Sequence, residues 1–480
     1  MPAPERRNGV PRPHRVNALG RHVALVGFMG AGKTTFGIEL AHRLGREFVD
    51  LDRELESTLH ETIPEIFARR GELEFRVLEQ ATAIDRLARG KPAVVALGGG
   101  AVTSPGIRTA LREHALTIHV EVDAGAAWER VRWSNRPLAR EEGTFRALYE
   151  ERMPLYREVA DATAQDVDDM VLGAAGIHVE IGAVELLGEL VPGEGQVALV
   201  ADAHVAGIYG ASVQPELGRR LSTTHEVGSK SAEELASLWR SLRLERSGLI
   251  VGLGGGTTTD LAGFAAATYM RGIDWVAVPT SLVGQVDAAI GGKTAIDLPE
   301  AKNLVGAFHW PARTVIDPAL LSTLPEDERR NGLAEVVKTG LLAGERLWEL
   351  PDKELVRRCA AYKAALCLRD PHDRGPRHAL NLGHTFGHAL EAASGYELPH
   401  GRAVALGLQA ALRLSGRDTA PVDEALAPEP VRVDRERAWE ALLRDKKGRL
   451  RIVLLDDDGA HEEELREADV RAALDELIAE

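Results

Sequence analysis

The sequence predicts an α/β protein in two parts: an N-terminal three-layer domain on a parallel sheet, then an α/β part that passes into a mainly helical one. Three observations predict it. Residues 21–170 alternate short apolar runs with helical stretches. A Gly-rich loop joins the first run to the first helical stretch. After about Thr323, helical periodicity dominates to roughly Leu443. The 480 residues suffice for two or three domains.

Taken in order, residues 1–20 are Pro- and Arg-rich without the apolar core of a secretion signal, and are expected to form a disordered tail. "HVALVGF", "FVDLD", "AVVALGGG" and "LTIHVEVD" read as buried parallel strands. The small, acidic stretch 161–176 marks a boundary, which divides the chain into 21–172 and 173–480. In the second part "VALVADAHV", "GLIVGLGGG" and "WVAVPTS" are strands of an α/β portion, 173–322. The portion 323–480 is mainly helical, with "RIVLLDDDG" as a late strand.

A hydrophobic share of 44% and a charged share of 27% are ordinary for a soluble globular protein. A net charge of −15 disfavours nucleic acid as a partner, so an anionic substrate must be held by local arginines and lysines. No run of 18 apolar residues exists, and no membrane span is expected. The two cysteines, Cys359 and Cys367, offer neither a disulfide framework nor a cysteine zinc site, which fits a cytoplasmic location.

Gly27, Gly32, Lys33 and Thr34 satisfy G-x-x-x-x-G-K-[ST] with a strand before and a helix after. Backbone at Gly30, Ala31, Gly32, Lys33, Thr34 and Thr35 would cradle the phosphates of ATP at a helix N-terminus. Lys33 would reach the outer phosphates as the catalytic cation, and Thr34 would bind Mg²⁺. Asp50 and Asp52 fall on one side of a strand end, because side chains alternate. Arg76 stands in a charged helical stretch, where a surface salt bridge is the plain reading. Gly98, Gly99 and Gly100 form a second glycine turn. "SNRPLA" and "EERMPLY" supply Arg136 and Arg152.

In that order, across about 150 residues, these motifs resemble the shikimate kinases. The resemblance implies Asp50 for Mg²⁺ and Asp52 for shikimate hydroxyls. It implies Arg76 and Arg152 on the shikimate carboxylate, and Gly98, Gly99 and Gly100 along the pocket. Arg136 would sit in a mobile lid over the phosphates, and Arg132 near the adenine.

Farther on, Gly254, Gly255 and Gly256 follow an apolar strand and lead into a helix, so a pyrophosphate could touch backbone there, although G-x-G-x-x-G is not met. Lys293, Lys302 and Asn303 cluster in Gly-rich loops and suggest an anion site. His384 and His388 share a helical face at i, i+4, and His400 follows. Glu335 and Lys338 lie one turn apart. Imidazoles with one carboxylate suit a catalytic zinc with an open position. Spacing alone leaves His384 and His388 as one possible ligand pair.

From about Ile177 to the end, "DLAGFAAATYMRG", "GLAEVVK", "KNLVGAFH" and "LNLGHTFGHALE" resemble the 3-dehydroquinate synthases. The resemblance implies Glu335, His384 and His400 as ligands of Zn²⁺ or Co²⁺, with His388 moving protons. It implies an NAD site at Asp202, Lys230, Gly254, Gly255, Gly256, Asp260, Thr280, Ser281, Lys302 and Thr323. Arg271, Asp287, Lys293, Asn303, Lys338, Lys363, Arg377 and Asn381 would surround a phosphorylated sugar acid, with Lys446 or Lys447 closing from the tail. Lys293, Lys338 and Asp373 would join His388 in catalysis. There are departures: Asp373 replaces the usual Glu, "HGR" with Arg402 replaces "HGE", and two stretches of the helical part are shorter than usual.

Together the resemblances imply two activities of one biosynthetic route, acting on small molecules, with a homodimer through the second half. The two steps are not consecutive, so no direct hand-off is required. Two rival readings are a different sugar-phosphate cyclase in the second half and an inactive half kept as a scaffold. Intact Lys33, Asp50, Glu335, His384 and His400 argue against the scaffold.

Overall fold

A computed structural model describes residues 17–133, 141–299, 301–446 and 450–479, without the side chains of 445 and 446. The tail expected at 1–20 lies mostly outside the described residues, as do Arg136, Lys447 and the side chain of Lys446. Its last four residues do not behave as a tail. Ala18 is fully buried and donates its N–H to Ala174 O at 2.9 Å, because an apolar side chain and a backbone donor both find partners there.

The chain forms two compact units, residues 1–178 with 186–194 and residues 179–185 with 195–480. The expected division at 172/173 falls inside the helix Val167–Ala175. That helix packs on the first unit: a Cβ built on Gly173 would lie 2.8 Å from Cβ of Ala162.

The first unit holds strands β1 (His22–Val26), β2 (Phe48–Asp50), β3 (Val94–Ala96), β4 (Ala115–Val120) and β5 (Ala162–Ala164). They pair in parallel in the order β2-β3-β1-β4-β5. Every residue of β1, β3 and β4 is buried. Helices cover both faces, which is why these strands read as mainly apolar runs, with His22, Thr117 and His119 as the buried polar exceptions. Phe28, just past β1, meets Phe145 edge-on at 4.9 Å and fixes the loop that follows.

The second sheet begins with β6 (Ile177–Val179), where the sequence passes from one unit to the other, and the second unit goes on with β7 (Val197–Asp202), β8 (Leu221–Val227), β9 (Leu249–Gly254) and β10 (Asp274–Pro279). A hairpin of β11 (Lys293–Leu298) and β12 (Ala301–Phe308) precedes β13 (Arg313–Ile316). The sheet runs β6-β13-β10-β9-β7-β8. From β7 the chain goes first to β8 on one side, then returns to β9 on the other. The order therefore reverses between β7 and β9, where an open α/β sheet forms its ligand crevice. Those two strands end at Asp202 and Gly254.

The helical part follows: Glu326–Ala343, Asp352–Arg369, His384–Ala393, His400–Leu414, Ala420–Leu426 and Arg435–Lys446. A hairpin of β14 (Arg451–Asp456) and β15 (Gly459–Glu464) and the helix Glu467–Asp475 close the unit. Phe386, Leu390, Leu406, Trp439, Leu442 and Leu474 share its core. Among the described residues, no helix is long and apolar enough to cross a membrane.

Candidate active sites

The loop after β1 can only be built with glycine. Gly27, Gly30 and Gly32 have φ of 155°, 82° and 87°, and a Cβ on Gly27 would stand 2.6 Å from Val120 O. Gly32 caps the helix Lys33–Leu44, so its free N–H groups and partial positive charge open onto the loop. Lys33 Nζ donates to the carbonyls of Gly27 at 2.7 Å and Phe28 at 3.2 Å.

A cavity of about 660 Å³ is lined by Gly30, Gly32, Lys33, Thr34 and Thr35 and by Asp50, Asp52, Arg76, Gly98, Gly99, Gly100 and Arg152. Ala31 lines a neighbouring cavity of about 500 Å³. Arg132 pairs with Glu129 at 2.8 Å.

The two aspartates share the first cavity for a reason other than strand alternation. Strand β2 stops at Asp50, and Asp52 lies in the first turn of the helix Leu51–Leu59. Asp50 caps that helix: Oδ1 accepts from Asp52 N at 3.1 Å and Arg53 N at 3.4 Å. Its other oxygen accepts from the Thr34 hydroxyl at 2.8 Å.

Arg76 bonds Glu79 at 2.7 Å and Glu72 at 3.1 Å, and it also faces the cavity. The glycine turn is packed among these groups. A Cβ on Gly100 would lie 2.3 Å from the Arg76 guanidinium, and one on Gly98 would lie 2.7 Å from Glu79. Gly99 O accepts from Arg152 at 3.2 Å and from the buried Tyr156 hydroxyl at 2.5 Å. Arg152 is 4% exposed and its Nε has no protein partner. A buried guanidinium with an open donor suits a carboxylate ligand.

Sequence reasoning missed Glu79 and Tyr156. Burial pushes the Glu79 carboxyl up, against the pull of Arg76. Its i, i+3 spacing from Arg76 was the available signal.

In the second unit, Glu335, His384 and His400 each offer one donor atom, all within 4.8 Å of one another. Glu335 Oε1 lies 3.3 Å from His384 Nε2 and 3.0 Å from His400 Nε2. His388 is exposed beside them, its ring 5.4 Å from that of His384, and is not one of the three convergent donors.

Burial alone would lower the His400 pKa, but hydrogen bonds to Glu335 and Glu391 raise it to about 10. The surroundings therefore favour positive charge, and two imidazoles with one carboxylate are a donor set that a divalent transition metal takes. The residues fit such a metal.

Next to this group Lys338 Nζ sits 2.5 Å from Glu335 Oε2. Asp287 stands in the π-helical turn Gly284–Ala288, with Lys363 at 2.7 Å and Lys338 at 3.7 Å. Such turns often mark functional positions. Arg377 is buried and donates to Gly291 O at 3.1 Å, and Asn381 ends the turn Pro376–Asn381. Arg271 is exposed on a turn where Met270 and Arg271 have φ of 50° and 66°.

The crevice side is equally defined. Thr280 N donates to Gly254 O at 2.9 Å, and Ser281 Oγ lies beside Gly255. Gly256 begins the helix Gly256–Thr268. Asp202 caps the helix Ala203–Leu217. Lys230 pairs with Asp260 at 2.8 Å, and burial raises that carboxyl to about 6 against the pull of the lysine. Thr323 Oγ1 is 2.6 Å from the Tyr209 hydroxyl, and Lys302 lies over the Tyr396 ring at 4.8 Å.

One expectation is corrected. Lys293, Lys302 and Asn303 do not cluster in loops. They lie on the hairpin of β11 and β12, where Lys293 pairs with Phe308 at the open end and Leu298 with Ala301 at the turn. At about 3.4 Å per residue, antiparallel pairing sets the two ends roughly 15 Å apart or more. Lys293 bonds Asp373, whereas Asn303 bonds Lys230.

Comparison with known proteins sorts these two sites. Residues 29–171 match the shikimate kinase family model, 222–331 the 3-dehydroquinate synthase N-terminal model and 332–447 the C-terminal one. The bifunctional shikimate kinase/3-dehydroquinate synthase of Thermotoga maritima is 33% identical over 464 residues, which cover 88% of this chain and 93% of that one. The fold of the second unit is like 2-deoxy-scyllo-inosose synthase: TM-score 0.57, 22% identity, 62% of this chain and 96% of that chain. It is also like the 2-epi-5-epi-valiolone synthase of Streptomyces hygroscopicus, solved with NAD⁺ and Zn²⁺: TM-score 0.52, 25% identity, 59% and 90% covered.

Fold and sites thus define a P-loop small-molecule kinase joined to a sugar-phosphate cyclase. The chain belongs to the bifunctional shikimate kinase/3-dehydroquinate synthase family, whose two activities serve the shikimate pathway.

Proposed function

We propose that the first unit transfers the terminal phosphate of ATP to a shikimate hydroxyl in the cavity where Lys33 and Thr34 face Arg76 and Arg152. That juxtaposition carries the reading. Mg²⁺, when bound, neutralises phosphate charge, and Thr34 and Asp50 would hold it. Lys33 leaves the Gly27 and Phe28 carbonyls to stabilise the charge developing on the transferring group. Arg152 and Arg76 fix the shikimate carboxylate, and Asp52 meets a ring hydroxyl.

The second unit would convert 3-deoxy-D-arabino-heptulosonate 7-phosphate into 3-dehydroquinate and phosphate, with no net oxidation. The convergence of Glu335, His384 and His400 carries this reading. NAD⁺ and a divalent metal, Zn²⁺ or Co²⁺, supply reversible hydride acceptance and polarisation of the reacting oxygen. NAD would lie where the sheet order reverses, at Asp202, Asp260 and the turn Gly254, Gly255 and Gly256, and the Streptomyces relative supports that pairing of cofactor and metal.

Lys338, Lys363 and Arg377 hold the substrate's anionic groups, and Asp287 holds the two ammonium groups in place. Lys293 and Asn303, at opposite ends of the hairpin, contact the substrate at different points. His388 moves a proton near the departing phosphate.

A homodimer through the second unit and a cytoplasmic location complete the proposal. The exposed apolar side chains of Met270, Leu304 and Phe308 support the first, and the free, buried Cys359 and Cys367 the second.

Lys33→Met and His384→Ala, each assayed for both reactions, test the assignment. Lys33→Met should abolish phosphorylation and spare cyclisation, and His384→Ala the reverse. Loss of both activities in either variant counts against two separate sites.

A further inference from the structure

The helix His384–Ala393 carries His384, His388 and Glu391 at spacings of four and three, so all three lie on one stripe. The proposed function uses the first two and leaves the third without a role. Glu391 is 6% exposed, and a carboxylate that deep needs a partner. Its Oε1 lies 3.4 Å from Nδ1 of His400. The other nitrogen of that ring, Nε2, lies 3.0 Å from Glu335 Oε1.

A neutral imidazole has one N–H to place. Once the ion takes the place of the proton shared with Glu335, a carboxylate at Nδ1 holds the remaining N–H there and leaves the Nε2 lone pair for the metal. His384 is arranged the same way by a different group: its Nδ1 lies 3.2 Å from Leu382 O, and its Nε2 faces Glu335. Both rings thus turn Nε2 inward, one through a backbone carbonyl and one through Glu391.

We propose that Glu391 is a positioning residue for the metal centre, holding His400 in the tautomer and orientation that present Nε2 to the ion and thereby setting the site's metal affinity. The inference rests on the reading of Glu335, His384 and His400 as ligands. Glu391 itself touches neither substrate nor cofactor.

The test is the Zn²⁺ affinity of the full chain, measured by competition with a chelating dye for wild type, Glu391→Gln, Glu391→Ala and His400→Ala. Loss of such an outer partner costs about 10–100-fold in affinity. Glu391→Ala should fall in that range. Glu391→Gln keeps shape and one acceptor, so it should be weakened by about tenfold at most. NAD affinity and shikimate phosphorylation should stay at wild-type levels in both, which a general loss of packing would not allow. Zn²⁺ affinity within twofold of wild type in both Glu391 variants, beside a zinc-free His400→Ala, overturns the proposal alone. Wild-type affinity in His400→Ala overturns the ligand reading and this proposal with it.

Discussion

Gly407 lies against the carbonyl of Gly383, so closely that a Cβ at 407 would stand 2.0 Å from that oxygen. A Cβ on Gly387 would stand 3.2 Å from the backbone of Ala403, a tight fit of a milder kind. These contacts let the helices His384–Ala393 and His400–Leu414 meet backbone to backbone, which brings His384 and His400 to one carboxylate. Gly407→Ala should push the helices apart, costing about 1–3 kcal/mol in denaturant unfolding and most of the bound zinc. Wild-type stability with full metal content would show that the contact is slack.

Metal content should also separate the three histidines. A ligand imidazole has no lone pair left for proton transfer. His388→Ala should therefore keep near-stoichiometric zinc and lose much of its cyclisation rate. His384→Ala and His400→Ala should lose both. A zinc-free His388→Ala beside a zinc-replete His400→Ala would reverse the assignment.

His119 predicts a pH dependence of the first unit. It is 2% exposed and stacks on Tyr156 at 5.2 Å, and burial lowers its pKa from 6.5 to about 4, with Arg157 and Lys33 adding to the effect. The folded value is below the unfolded one, so protons bind preferentially to the unfolded chain. The contribution of His119 to stability is therefore full above pH 6.5, declines as the pH falls toward 4 and changes no further below that. The span is on the order of 3 kcal/mol. His119→Phe, which keeps a stacked ring, should flatten this decline when urea unfolding is followed by kinase activity at pH 7.5 and 5. An unchanged slope would place the acid sensitivity elsewhere.

The two activities should be separable. Every residue assigned to phosphorylation precedes His178, and every residue assigned to cyclisation follows Val179. Fragments 1–176 and 177–480, which leave β6 whole, should each retain one activity. An insoluble or inactive fragment, beside a competent full chain, would show that the stretch 186–194, which groups with the first unit, is needed for independent folding.

The strands with mainly apolar runs were legible because burial on both faces leaves a simple mark. Strand β8 was not: its "LSTTHEV" has five consecutive polar residues, alternately part-covered and exposed, and so no apolar run. The β11–β12 hairpin was hidden by Gly291 and Gly292 before it and Gly306 within it, which read as loops, and so Lys293 and Asn303 were placed together. The sequence showed Asp50 and Asp52 as a pair, but not that one ends a strand and the other begins a helix. Lys33, Arg76, Glu335, His384 and His400 stood in motifs of fixed spacing; the structure sets the first two along one cavity and the other three around one point. Glu79, three residues from Arg76, was within reach of spacing, whereas Tyr156 meets Gly99 and Glu391 meets His400 only in the fold, which spacing along the chain does not report.

Asp50 divides its two oxygens between tasks, one ending the fold of a strand–helix junction and the other engaging Thr34. Selection and engineering therefore meet a shared constraint at this position. If Asp50 holds Mg²⁺ as proposed, a replacement that retunes the ion also loosens the helix carrying Asp52, and one that preserves the helix leaves the ion's surroundings nearly fixed. On the same proposal, room to adapt the site to another metal lies at Thr34, whose hydroxyl can be altered without unpicking the junction.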